Sequence, residues 1–287
     1  MKISLSRKLF MTFVYIALTI LCTAMVMPFI KVIAQSLSSA KAIETGTVWF
    51  WPIDFNLLNY RAVLSDSGII RAFYNSTIIT VVGTLINLVM TCLLAYPTSR
   101  KEFEHSKLIL FMIMITLIFS APLIPNFLLV KQLGMLDTLW AVMIPGAISS
   151  FNFFILRSFF KNLSEELMDA ARIDGCGELG ILMRMVLPLS KASLAAIGLF
   201  YAVGNWNNLQ GPLVYLQSPD MITLQVKLYM MIVSDVTVVP DIPEMIQLSP
   251  EGIRMTTIVV ATLPILLIYP FLQKYFIQGA TLGSLKE

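Results

Sequence analysis

Charge is scarce in this chain. Asp, Glu, Lys and Arg make up 13% of its 287 residues while apolar residues make up 57%, whereas a soluble domain carries about 25% charged residues. The single histidine, His105, lies among Arg100, Lys101, Glu102 and Glu104, so it reads as a solvated loop residue and not as a proton relay, which belongs inside the membrane. Three cysteines (Cys22, Cys92 and Cys176) offer neither a disulfide framework nor zinc-ligand spacing. No G-x-x-x-x-G-K-[ST] sequence occurs, which removes the phosphate-cradling loop of P-loop ATPases. H-E-x-x-H is absent too, as is any pair of Asp, or Ser with Lys, at the centre of an apolar run, so an intramembrane enzyme lacks its catalytic groups. The net charge of +3 gives no reason to expect nucleic-acid binding.

What remains is apolar sequence in long runs. A hydrocarbon core of about 30 Å takes roughly 20 residues per helix, and six stretches qualify: 9–33, 69–96, 108–130, 138–160, 187–206 and 255–277. Backbone groups in lipid must be satisfied internally, and the runs lack the ten-residue alternation of a barrel. The expectation is an all-α integral membrane protein with six transmembrane helices. The centres of the runs carry essentially no ionisable residues, which counts against an ion-coupled secondary sugar transporter. The first run follows Lys2, Arg7 and Lys8 but exceeds a signal-peptide core and no A-x-A site follows, so it reads as a retained signal anchor. Placing the N-terminus in the cytoplasm puts 13 of the 20 Lys and Arg on the cytoplasmic side, including Arg100, Lys101, Arg172 and Lys274. That bias puts both termini and the 161–187 loop inside. Segments 34–68 and 207–254 then cap the outer face. With no repeat, linker or soluble domain, residues 1–287 read as one membrane domain.

The 161–187 loop is the anomaly: a polar element that a membrane protein has little reason to keep unless a soluble partner docks there. Ser164 suits an N-cap, with Glu165 and Glu166 in the first turn where acids favour the helix dipole. Leu163, Leu167, Ala170 and Ala171 predict one apolar stripe. Asp174-Gly175 ends the helix through the left-handed turn that glycine allows, a second helix runs over 178–187, and Pro188 opens the fifth span. Composition alone is equally compatible with an ordinary interfacial helix.

Asp169-Ala170-Ala171, then Gly175, then Met185-Val186-Leu187-Pro188, resembles the EAA loop of ABC-importer permeases in spacing throughout, with Asp for the first Glu and Met for Ile. The resemblance continues over nearly the whole chain and is nearest the carbohydrate importers of the maltose-transporter MalG type. It rests on Asn59-Tyr60, Phe73, Asn75-Ser76, the Gln132-Leu133-Gly134-Met135-Leu136-Asp137-Thr138 loop, Trp140-Ala141, Trp206-Asn207, and Lys274, Phe276, Gly279 and Gly283 in the tail. The family's final K-G is Lys286-Glu287 here. The resemblance implies the type I ABC-importer permease fold in a bacterial cytoplasmic membrane, with lipid around it. It implies a heterodimer with a second permease subunit, two ATPase subunits that bind ATP and Mg, and an extracellular sugar-binding protein. It implies no cofactor or metal on this chain and no catalysis by it. Glu165, Glu166, Asp169, Ala170, Ala171, Asp174, Gly175, Leu187 and Pro188 would couple to the ATPase. The ending Phe276-Ile277-x-Gly279…Gly283-Ser284 leans towards larger, uronic-acid-containing oligosaccharides.

Sugars are met by hydrogen-bonding groups and aromatic faces. Asn75, Asn126, Asn152, Tyr201, Asn205, Trp206, Asn207 and Asn208 are therefore the substrate-pathway candidates, with Asn87 and Trp140 beside them. Each has a plainer reading: a span Asn more often bonds a neighbouring helix, and Trp and Tyr often anchor span ends.

Overall fold

The computed structural model describes residues 5–119, 121–233 and 248–284. Among them every regular element is helical: α1 Leu5–Ser36, α2 Ala40–Glu44, α3 Leu58–Ser65, α4 Ser67–Ser99, α5 Ser106–Ile118, α6 Leu123–Gln132, α7 Trp140–Met143 and α8 Ser150–Lys161. They continue with α9 Glu165–Ile173, α10 Glu178–Leu189, α11 Lys191–Trp206, α12 Gln210–Tyr215, α13 Leu224–Val233 and α14 Pro250–Ser284. The chain divides into two compact units, Met1–Ile70 with Leu228–Leu263, and Arg71–Lys227 with Pro264–Glu287.

Three helical segments are long and apolar enough to cross a membrane unaided: Arg7–Ser36, Ser67–Ser99 and Pro250–Ile268. The third and fifth predicted runs are instead bent pairs, Ser106–Ile118 with Leu123–Gln132 at 119° and Glu178–Leu189 with Lys191–Trp206 at 85°. The fourth run is broken as well, helical only at α7 and α8. Proline explains the breaks at 122 and 145: Pro122 is the extended cap of α6, and Pro145-Gly146 separates α7 from α8. Hydropathy alone counts such pairs as single runs because it is blind to the backbone.

In the first unit α1 is exposed along its apolar length and joins its neighbours at its C-terminal end. There Ser36 Oγ and Tyr60 Oη are 2.9 Å apart, and Asn59 Nδ2 donates to the carbonyls of Ser36 and Ser38. Ala34, Ala42, Ile43 and Val48 form the small core beneath. The second unit holds the main core, in which Phe153, Leu156 and Phe160 of α8 meet Met168, Ile181, Leu182 and Val186 of the loop and Ile197 of α11. That core fastens the loop predicted to be functional to the spans behind it.

Candidate functional site

The 161–187 loop folds as two helices around a glycine turn. Ser164 stands at the N-cap of α9 but makes no side-chain cap bond, so only Glu165 and Glu166 in the first turn complement the dipole there. At the other end Gly175 has φ +81° and the Cys176 amide closes the turn onto the Ala171 carbonyl at 2.9 Å. A residue with a Cβ disfavours that backbone, so the predicted glycine turn is what forms.

The apolar stripe needs correction. Met168 and Ala171 are the buried pair, with Leu163 packed beside them. Leu167 and Ala170 face outward with Ile173, which is 86% exposed. The second helix is also different. It runs from Glu178 to Leu189 and contains a π turn over Leu182–Val186. Pro188 therefore lies inside α10 and does not open the fifth span; the wider turn accommodates its missing N–H, and the break comes two residues later at Ser190.

An ionic knot absent from the sequence reading fixes this pair of helices. Tyr96 Oη donates to Glu178 at 2.6 Å, Arg172 Nε donates to Glu178 at 2.9 Å, and Arg172 also bonds Asp169 at 2.9 Å and approaches Glu102 at 3.6 Å. The hydrogen bond to Glu178 pushes the Arg172 pKa above its ordinary value, with Asp169 and Glu102 adding to it. Lys101 pairs with Glu165 at 3.0 Å, an exposed contact of small energetic weight. Arg100 donates to the Phe160 carbonyl at 2.6 Å and lies 5.3 Å from the Tyr96 ring centre; burial lowers its pKa. A cavity of about 400 Å³ opens between these groups, lined by Tyr96, Arg100, Glu102, Phe103, Arg172 and Glu178. Glu165, Glu166, Asp169, Ala170, Asp174 and Gly175 are solvent-facing, Ala171 and Leu187 pack inward, and Pro188 is exposed.

The substrate candidates fall into two groups. Asn75 is buried and donates to the carbonyls of Asp220 and Ile222 at 2.9 and 3.0 Å. Asn205 donates to Asn87 Oδ1 at 3.0 Å, while Asn87 donates to the carbonyls of Gly146 and Ala147, both at 3.0 Å. Tyr201 Oη lies 2.7 Å from Thr91 Oγ1 and accepts the Ser149 amide at 3.0 Å. Asn152 is buried at the start of α8. The Asn87, Tyr201 and Asn205 side chains join α4 and α11 to each other and to the break before α8, while Asn75 ties α4 to residues 220–222. Gly83 makes the approach possible: a Cβ there would stand 3.0 Å from Asn205 Nδ2. Asn208 Oδ1 accepts the Gly211 amide at 3.1 Å and is half-buried, as is Asn126, whereas Asn207 is exposed. Trp206 stacks edge-on against Phe73 with ring centres 5.6 Å apart and lines an apolar cavity of about 220 Å³. Trp140 is exposed.

Asp137, present in the sequence reading only as part of a motif, has a positive φ of 59°. Its Oδ1 accepts the amides of Gln217 and Ser218 at 2.9 and 2.8 Å, and Ser218 Oγ donates to Oδ2. Those bonds, the Ser218 hydroxyl first, hold its pKa below the usual carboxylate value. The tail residues Lys274, Phe276, Gly279 and Gly283 fall in α14, and Lys286-Glu287 lie outside the described residues.

Residues 68–281 match the family described as the binding-protein-dependent transport system inner membrane component. The chain belongs to this family. The permease is 39% identical over 285 residues to the polygalacturonan/rhamnogalacturonan transport system permease protein YtcP of Bacillus subtilis (strain 168), covering 98% of its own length and 100% of the relative's. It is 31% identical over 270 residues to the arabinooligosaccharides transport system permease protein AraQ of Halalkalibacterium halodurans, covering 91% of both chains. In structure it superposes with TM-score 0.91 and 31% identity on a chain of a bacterial ABC transporter involved in the import of the acidic polysaccharide alginate, over 96% of this chain and 99% of that one. The permease is thus a multi-pass membrane subunit of a carbohydrate ABC importer, a non-catalytic component whose partners are a binding protein and ATPase subunits.

Proposed function

We propose that this chain, as one six-span permease domain over residues 1–287 with both termini in the cytoplasm, pairs with a different permease subunit and admits an acidic oligosaccharide by alternating access. The energy comes from ATP and Mg bound by two ATPase subunits below, with no cofactor on the chain itself. The observation that carries the coupling role is the orientation of α9. Met168 and Ala171 face the core while Leu167, Ala170 and Ile173 stand in solvent, rimmed by Glu165, Glu166, Asp169 and Asp174. A short apolar face with a charged rim fits a groove of a soluble partner, and the knot at Arg172 makes its movement the movement of α4 and α10. ATPase closure then tilts these helices as bodies. Leu187 and Pro188 act through α10, as part of the bent connection to α11.

The acidic-sugar reading is supported by the roles of two relatives, one a polygalacturonan/rhamnogalacturonan system and one an alginate importer. Asn75, Tyr201 and Asn205 hold the helices that shape the path, and Asn152 is buried at the start of α8 beside them. Asn126, Asn207 and Asn208, whose hydrogen bonds stay within their own turns, are the positions proposed to meet sugar hydroxyls, and Trp206, on the 220 Å³ apolar cavity, a ring face.

The test is Ile173→Asp in the intact importer. The expected result is a chain that remains in the membrane with its second permease subunit, loses at least ten-fold of its ATPase-subunit recovery, and abolishes sugar-stimulated ATP hydrolysis. Unchanged recovery and hydrolysis would remove α9 as the coupling contact. Replacement of Asn207 and Asn208 by Ala is expected to raise the sugar concentration needed for half-maximal ATPase stimulation while leaving assembly intact; an unchanged value would take both residues out of the path.

A further inference from the structure

The segment after α2 exposes large apolar side chains in close succession: Trp49, Phe50, Trp51, Ile53, Phe55 and Leu57, with Trp51 81% exposed. Its only charge is Asp54. It is not a helix, and its backbone is pinned to the end of α1. The Ile53 amide donates to Ser38 Oγ, the Ser39 amide donates to the Ile53 carbonyl and the Asn56 amide donates to the Leu37 carbonyl, each at 3.1 Å. Val48, 1% exposed, plugs the base into the Ala34, Ala42 and Ile43 core. The aromatic side chains are therefore presented outward from a fixed base.

Depth follows from α1. No charged residue occurs between Lys8 and Lys31, so residues 9–30 form an uninterrupted apolar helix of about 33 Å at 1.5 Å per residue, matching a hydrocarbon core of about 30 Å. Lys31 marks the end of that core, where a lysine reaches the headgroups. Lys31 Nζ lies 5.0 Å from the centre of the Trp49 ring, which places Trp49 at headgroup level. Irregular backbone carrying exposed Trp and Phe is excluded from lipid tails and suited to the boundary, where an amphipathic ring keeps one edge wet.

We infer that residues 49–57 are an interfacial anchor that inserts Trp49, Trp51 and Phe55 among lipid headgroups and upper acyl chains beside α1. The occupant of this surface is the bilayer, at the headgroup depth that the length of α1 and the Lys31–Trp49 contact set. The anchor fixes the height and tilt of the first unit, so the base of α1 and the Asn59–Ser36 junction keep a constant depth.

The test uses the whole importer, purified from its own membranes into phosphatidylglycerol-containing nanodiscs. Cys22, Cys92 and Cys176 are replaced by Ala, and single cysteines are introduced by Trp51→Cys or Phe55→Cys and labelled with an environment-sensitive fluorophore. Glu104→Cys, in an exposed turn, is the water-facing reference. Sugar-stimulated ATP hydrolysis confirms that each labelled complex is folded. At 51 and 55 the expected result is blue-shifted emission relative to 104, quenched at least two-fold more by lipid carrying a nitroxide at acyl carbon 5 than at carbon 12. Added binding protein leaves it unaltered. Emission like that at 104, insensitivity to nitroxide lipid, or a blue shift that depends on binding protein would each overturn the anchor; the last would make the segment a protein contact.

Discussion

Asp137 accepts three hydrogen bonds with one carboxylate, from two amides and a hydroxyl of residues 217 and 218, while its own backbone occupies the left-handed region that Asp tolerates better than most residues. Because its pKa is depressed, the clamp is complete above the ordinary aspartate value of 3.8 and is released only as pH falls through the lower folded value. After correction for intrinsic rates, amide exchange at Gln217 and Ser218 is expected to stay protected at pH 3.8 and to lose protection at more acidic pH. Asp137→Ala removes that protection at neutral pH. Tyr201 makes a comparable join inside the membrane, and Tyr201→Phe leaves the Ser149 amide and Thr91 hydroxyl short of a partner. Thermal unfolding in mild detergent should show a loss of about 1 kcal/mol, with half-maximal sugar stimulation unchanged. A shift in that sugar response without loss of stability would return Tyr201 to the substrate path.

At the scale of elements, the coupling hairpin depends on Gly175 and on the knot behind it. Nothing lies within 4 Å of a Cβ built at Gly175, so Gly175→Ala costs backbone strain alone, about 1–2 kcal/mol, without a clash. Assembly is expected to survive, with faster amide exchange confined to the end of α9. Tyr96→Phe instead deprives Glu178 of its 2.6 Å bond; exchange should rise through the start of α10, and ATP hydrolysis should become less dependent on sugar. The sequence made the D-G turn and the outline of both helices legible, because turn chemistry and loop polarity are local signals. It could not show which face of α9 is buried. Leu167 and Met168 are similarly apolar, and the choice was made by Phe153, Leu156 and Phe160 of another helix. The π turn before Pro188 was equally hidden, since a proline marks a missing donor without saying whether the helix starts, stops or widens.

Across the whole molecule, the runs at 9–33, 69–96 and 255–277 were legible because long uninterrupted helices follow from hydropathy. The other three were legible only as apolar stretches. Pro122 and Pro145 mark two of the breaks locally, but the Asn87 and Tyr201 bonds that satisfy the freed backbone before α8 depend on partners far along the chain. The proposed topology has a direct readout in intact cells or spheroplasts. Cysteines placed at Glu104 and Leu167 should react with an impermeant maleimide only after the membrane is opened, and one placed at Gln210 should react from outside. Labelling of all three from one side would discard the arrangement. One consequence reaches beyond this chain, to descent within its family. The space that Gly83 leaves is occupied by the amide of Asn205, with Met143 close by. A lineage that acquires a side chain at 83 displaces the Asn205 amide by a few tenths of an ångström for Ala and further for anything larger, so these two positions, 122 apart in sequence, are expected to change together when residue 83 becomes bulky.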